Sequence, residues 1–267
     1  QGVSSAASDV YKRQVVLLHA FPLDGRMWID QADALSAAGW DVIVPDLPGF
    51  GESDLLGVEP DLAAVAETVI DELDAQGVQR AVIAGLSLGG YVAMALLRQA
   101  PERVAALILC DTKAAADTDT ARENRVRIAE AVLAAPERTG RILRQSFLPG
   151  LLGPTTVSAR PEIVEQVGTW LDEADADTIA WYQQAMAARP ASFDVLAEFD
   201  AAALVLWGEA DALSPEADQR AMLDVLQRGR AAVIADAGHL SAVESPDRVS
   251  EAMTAFLDSL TRGLSTS

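Results

Sequence analysis

Ala81-Val82-Ile83-Ala84-Gly85-Leu86-Ser87-Leu88-Gly89-Gly90-Tyr91-Val92-Ala93-Met94-Ala95-Leu96-Leu97 is the stretch on which the reading of this chain turns. Its first four residues are small or β-branched and apolar, as a buried strand requires, and from Tyr91 it reads as helix. A serine between strand and helix, with glycine two positions before and two after, fits a nucleophile elbow. The backbone must reverse within one residue there, which forces Ser87 into strained φ/ψ space. Side chains at positions 85 and 89 would strike the opposing backbone, so both must be small. A plain Gly-rich turn is the alternative, and only the surroundings of so short a motif decide between them.

Working outward, Val15-Val16-Leu17-Leu18 is a continuous apolar run, the mark of a strand covered on both faces of a parallel sheet. A helix over 28–38 ends at Gly39, and a strand over 41–45 leads into Asp46-Leu47-Pro48-Gly49-Phe50-Gly51-Glu52-Ser53, dense in turn formers. Leu62, Val65, Ala66, Val69, Ile70 and Leu73 recur at helical spacing up to Gly77. Pro101 stops the helix after the elbow, and 104–109 reads as the next buried strand. The rhythm breaks over 111–197, where helical patterns occur without a buried strand, and resumes with Ala203-Leu204-Val205-Leu206-Trp207. Ser214-Pro215 reads as a helix N-cap, 231–235 as the last strand, and Ser245-Pro246 as the start of the last helix. Strands and helices alternating in this way predict an α/β fold, a mostly parallel sheet with helices on both faces, whose active site gathers at the carboxyl ends of the strands.

The expected organisation is a core over 15–110 and 198–262, interrupted by a helical lid at 111–197, with a tail at 263–267. Residues 1–14 show no strand pattern and hold one of the two lysines of the chain, so they are read as a foreign leader standing where N-terminal strands were lost or replaced. The net charge of −20 argues against nucleic-acid binding, which needs clustered cations. No apolar run reaches the length of a membrane span and no export signal is legible, so the cytoplasm is the default location. One cysteine, Cys110, and two histidines provide neither a disulfide framework nor a zinc site, and no cofactor or metal is expected.

Five motifs in order, His19-Ala20-Phe21-Pro22, the Asp46–Ser53 loop, the Ser87 elbow, the Asp211 loop and the His239 loop, make the chain after Gln14 resemble the α/β-hydrolase superfamily. That fold runs nucleophile, acid, histidine along the chain, as here. The resemblance implies Ser87 as nucleophile, His239 as base and Asp211 as the acid that orients it, with His19 structural. Asp236 and Glu209 are rival acids. It also implies an oxyanion hole from the backbone N–H groups of Phe21 and Leu88, although Ala20 stands where the family usually has glycine. Phe147, Trp170, Trp181 and Met186 are the candidate pocket residues of the lid. The Phe-Pro-Leu-Asp stretch with Met27-Trp28 looks like that of small arylesterases, enol-lactonases and cofactor-free perhydrolases, so a small ester or lactone is the expected partner. Serine at the elbow argues against dehalogenase or epoxide hydrolase chemistry, and the loop after His19 lacks the Gly-rich pattern of C–C hydrolases. Proline iminopeptidase-like activity, perhydrolase activity and a non-catalytic ligand receptor on the same fold stay open as alternatives.

Overall fold

The computed structural model describes residues 13–262. In chain order the strands are β1 (Gln14–Leu18), β2 (Asp41–Ile43), β3 (Ala81–Leu86), β4 (Val104–Cys110), β5 (Ala203–Gly208) and β6 (Gly229–Ile234). They form one sheet of order β2-β1-β3-β4-β5-β6, parallel throughout. The chain moves outward from β1 to β2 and then crosses back to β3 on the other side of β1. That reversal is the topological switch point, and a crevice opens there beyond the carboxyl ends of β1 and β3. The His19 loop and Ser87 leave the sheet at these two ends.

Around the sheet lie α1 (Ile29–Ala37), α2 (Leu62–Ala75), α3 (Leu88–Gln99), and, after β5, α11 (Glu216–Val225), α12 (Ser241–Glu244) and α13 (Pro246–Arg262). Right-handed crossovers running in opposite directions from the switch point put their helices on opposite faces. Accordingly α1 packs on α13, while α2 packs on α3. Between β4 and β5 come α4 (Asp119–Ala134), α5 (Thr139–Ser146), α6 (Leu148–Leu151), α7 (Pro154–Ala159), α8 (Pro161–Asp172), α9 (Ala176–Ala188) and α10 (Phe193–Glu198). The last of these packs on α3 and α11, beside the sheet, so the segment over the strand ends is built from α4 to α9.

Central strands β3 and β5 are buried along their whole length, whereas β2 and β6 are edges with largely exposed or half-buried residues. This explains where sequence boundaries shift. β2 stops at Ile43, short of the expected Pro45, because proline has no N–H to give a ladder. β6 starts at Gly229, ahead of the expected residue 231, since an exposed edge needs no apolar signal. Gln14, assigned to the leader from the sequence, is the first residue of β1 and pairs with Asp41. The carbonyl of Arg13, also assigned to the leader, accepts from the Asp41 N–H at 2.8 Å, while residues 1–12 of the expected leader and the tail at 263–267 lie outside the described residues. The Ser214-Pro215 cap also differs: Pro215 precedes α11 without a side-chain cap, because the Ser214 hydroxyl bonds Asp211 instead.

Among the described residues, no helix is long and apolar enough to cross a membrane, and no cluster of three or more His, Cys, Asp and Glu side chains could hold a metal ion.

Candidate active site

Ser87 joins β3 to α3 at φ 52° and ψ −108°, a left-handed strained conformation. Its N–H donates to the Cys110 carbonyl at 3.0 Å, and its carbonyl accepts from the Thr112 hydroxyl at 2.8 Å, so the end of β4 holds the turn. A Cβ at Gly85 would overlap the Gly89 carbonyl, and one at Gly89 would overlap the Leu18 carbonyl. The close approach that the glycines were expected to permit is therefore present on both sides of Ser87.

His239 reaches this serine from the loop after β6, its Nε2 lying 2.8 Å from Ser87 Oγ. Its Nδ1–H donates to Asp211 Oδ2 at 2.9 Å and Oδ1 at 3.0 Å. The other lone pairs of Asp211 are also occupied: Oδ1 accepts from the N–H groups of Leu213 and Ser214, and Oδ2 from the Ser214 hydroxyl at 2.5 Å. Burial alone would raise the Asp211 pKa, but the facing imidazole and the Ser214 donors hold it below the ordinary carboxylate range. An ionised carboxylate at Nδ1 leaves the Nε2 lone pair directed at the serine proton.

The rival acids lie elsewhere. Asp236 is exposed at φ 62°, where it makes a turn and donates its N–H to the exposed Glu209. His19 is fully buried, donates from Nδ1 to the Ala20 carbonyl at 3.1 Å and accepts from the Leu47 N–H at 2.9 Å. With both ring nitrogens bonded and burial lowering its pKa, His19 stays neutral and ties the Ala20 loop to the Asp46–Ser53 loop.

The Leu88 N–H is in the first turn of α3 and has no partner within its own helix. The Phe21 N–H has no protein acceptor among the described residues. Positive φ at non-glycine positions is confined, among the described residues, to Ser87, Asp111 and Asp236, so alanine at position 20 carries no such strain. Ala20 is anchored on both sides, its N–H to Met27 Sδ at 3.2 Å and its carbonyl to the Leu23 N–H at 2.9 Å.

Ser87 and His239 open into a cavity of about 550 Å³ whose walls include Phe21, Phe147, Leu151 and Met186. Of the four expected pocket residues, Phe147 and Met186 line this cavity and Trp170 and Trp181 do not. Trp170 lines a separate cavity of about 570 Å³ beside Arg26 and Asp46. Trp181 is buried against Tyr182, and its indole N–H donates to the Val58 carbonyl at 2.9 Å. On α9 it is Gln183 and Met186, not Trp181, that line the Ser87 cavity, and Trp170 on α8 is half-buried at the other one.

Two buried carboxyl groups around the site escape sequence reasoning. Glu244 accepts from the Gly238 N–H at 2.8 Å with one oxygen, and from the Gly153 N–H at 2.8 Å and Thr156 hydroxyl at 2.5 Å with the other. The Leu240 N–H donates to the Leu151 carbonyl at 3.0 Å. The loop that carries His239 is therefore fastened on both flanks to α6 and α7. Asp111, directly after β4, accepts from the Gly208 N–H at 2.7 Å and shares a hydrogen bond with the Ser241 hydroxyl, joining the acid loop to the base loop. Its position at the carboxyl end of a strand was the one signal available for it.

Burial first, and the charge of Asp211 next, raise the Asp111 pKa well above the ordinary value. The two aspartates are pushed in opposite directions, Asp111 upward and Asp211 downward. A raised folded-state pKa contributes stability that is complete below the unfolded value of about 4 and is lost as pH rises toward the folded one. Asp111→Asn offers the same donor and acceptor without the ionisation, so its stability relative to wild type should improve as pH rises from about 4. Asp111→Ala strands two buried polar groups and should cost about 2–5 kcal/mol. Denaturant titrations of the three proteins at pH 5 and pH 8 check both expectations.

A profile of the Alpha/beta hydrolase family matches residues 15–252. The chain belongs to the alpha/beta hydrolase family. It is 37% identical to a thermophilic esterase from Thermogutta terrifontis solved with malate bound, with a TM-score of 0.88 over 93% of this chain and 90% of that one. It is 30% identical over 258 residues to the pimeloyl-[acyl-carrier protein] methyl ester esterase of Aeromonas hydrophila, covering 91% of this chain and 94% of that protein. It is 29% identical over 259 residues to the dihydrolipoyllysine-residue acetyltransferase component of the acetoin cleaving system of Pseudomonas putida, a match to 91% of this chain that spans 63% of that relative's length.

Proposed function

We propose that the protein hydrolyses a small carboxylic ester or lactone through an acyl-enzyme, with Ser87 as nucleophile, His239 as general base and Asp211 as orienting acid. The observation that carries this reading is the unbroken line from Ser87 Oγ through His239 to Asp211, with links of 2.8 Å and 2.9 Å, at the wall of a cavity of substrate size. The full-length esterase relative supports ester chemistry in particular.

In this mechanism Ser87 Oγ attacks the carbonyl carbon as its proton passes to His239 Nε2. Asp211 stabilises the imidazolium that forms. The carbonyl oxygen becomes an oxyanion and accepts from the Phe21 and Leu88 N–H groups, each contributing on the order of 10²–10³ in rate. The departing alkoxide takes the proton from His239 Nε2, leaving the acyl group on Ser87. Water then attacks the acyl carbon and gives a proton to His239, which passes it to Ser87 Oγ as the acyl C–O bond breaks and the acid product leaves. A lactone follows the same steps with its alkoxide still tethered to the acyl chain.

The aminopeptidase alternative calls for acidic groups to hold a substrate ammonium. Among the charged residues lining the cavity the only carboxylate is Asp117, and Arg125 and Arg189 already pair with it. A panel of 4-nitrophenyl acetate to octanoate esters, γ- and δ-lactones and prolyl-4-nitroanilide tests the reading. Hydrolysis of the esters or lactones is expected, with the anilide cleaved at least about 100-fold more slowly. Preferential cleavage of the anilide would overturn it.

A further inference from the structure

The chain as a whole is strongly acidic, with 40 Asp and Glu against 20 Lys and Arg, yet the cavity at Ser87 is lined by three cations, Lys113, Arg125 and Arg127, and by one carboxylate, Asp117. Asp117 is itself over-matched: its side chain is 1% exposed and lies between Arg125 and Arg189. Two guanidiniums around one carboxylate leave a unit of positive charge. Lys113, one of two lysines in the sequence, adds another, and among the described residues it has no ion-pair partner. Lys113 is close enough to help hold the Asp117 carboxyl below its usual range, where burial alone would raise it and Arg125 is the main opposing influence.

An independent observation concerns a neutral donor. Gln183 is fully buried and lines the same cavity; its Oε1 accepts from Arg125 at 3.2 Å, while its Nε2 has no partner. A buried amide donor without an acceptor is costly unless something else supplies one. The unmatched positive charge and the unmet donor are both answered by one kind of group, an oxygen-rich anion.

We infer that the substrate carries a carboxylate remote from its scissile ester, received by Lys113, Arg125 and Gln183 within the Ser87 cavity. This rests on the ester-hydrolysis reading for the word "substrate" but not for the binding site itself. A carboxylate suits the geometry of mixed donors, since it can take an ammonium, a guanidinium and an amide N–H on its lone pairs. Within an otherwise acidic protein the patch also concentrates anions at one place on the surface.

The test compares matched esters: monomethyl adipate against methyl heptanoate for a charge on the acyl side, and 4-acetoxybenzoate against 4-methylphenyl acetate for a charge on the alcohol side. In Lys113→Met the anionic-to-neutral ratio of kcat/KM should fall about tenfold for one pair, the loss expected for one charge-assisted contact. Lys113→Arg should retain the ratio, and in wild type raising the salt should lower it. Ratios that are the same in wild type and Lys113→Met for both pairs would overturn the inference. Calorimetric titration of adipate into full-length protein judges the site even if no ester is turned over. Wild type should bind adipate about tenfold more tightly than Lys113→Met and more tightly than it binds hexane-1,6-diol. Equal adipate binding by both proteins, or binding by neither, would contradict the site.

Discussion

Ser87→Ala should lower kcat on the preferred ester by on the order of 10⁵–10⁶, the scale seen when a serine nucleophile is deleted from a complete triad. The loss is expected in kcat because alanine removes the atom that attacks and leaves the cavity walls as they are. Little change in folding should accompany it. The backbone at this position is fixed by the Cys110 and Thr112 bonds and by the contacts of Gly85 and Gly89, none of which involves the hydroxyl. The melting temperature should stay within a few degrees of wild type. Ester hydrolysis that persists at the wild-type rate in this variant would remove Ser87 from the mechanism.

Asp211→Asn should cost roughly 10⁴ in kcat, for a reason visible in its hydrogen bonds. Oδ1 accepts from two backbone N–H groups, Leu213 and Ser214, which cannot turn into acceptors. An asparagine oxygen is therefore drawn to that side, and its NH₂ is turned toward His239 Nδ1. The imidazole then keeps its proton on Nε2 and has no lone pair for the serine. The variant should fold, bind substrate with little change in KM and turn over slowly. Asp236→Asn, at an exposed turn, should be within about twofold of wild type, as surface changes away from the site usually are. A larger loss for Asp236→Asn than for Asp211→Asn would reverse the assignment of the acid. Both variants are read by steady-state kinetics on one ester, with circular dichroism as the control for folding.

The elbow and the two loops that meet it were legible in the sequence because their constraint is local. Glycine at 85 and 89 answers a backbone collision at those very positions, and the buried strands β3, β4 and β5 appear as continuous apolar runs. The groups that surround the reacting atoms were not legible, because they depend on contacts between distant parts of the chain. Asp111 meets partners 97 and 130 residues away. Arg125 and Gln183 come together only when α4 packs on α9, with Lys113 supplied by the loop before α4, and neither helix announces which of its faces will look into the cavity. The same holds for Trp170 and Trp181: residue type alone does not say that Trp170 lines a separate cavity or that Trp181 packs on Tyr182.

Glu244 shows how the segment over the strand ends can bear on chemistry without touching substrate. Its carboxylate holds the Gly238 N–H on one oxygen and α7 on the other, so displacement of α6 and α7 would pull on the residue next to His239. Changes that loosen α7 or its contacts with Glu244 should therefore alter kcat, although no residue of α7 lines the Ser87 cavity.

The central claim, that Ser87 becomes acylated, is tested most directly by intact-protein mass spectrometry after rapid acid quench during turnover of a 4-nitrophenyl ester, followed by peptide mapping. The account predicts one acyl adduct per chain, located on Ser87, absent from Ser87→Ala and accumulating in wild type before the steady state. Turnover with no adduct under conditions where deacylation is slowed, or an adduct mapped to another residue that disappears at the rate of turnover, would contradict it.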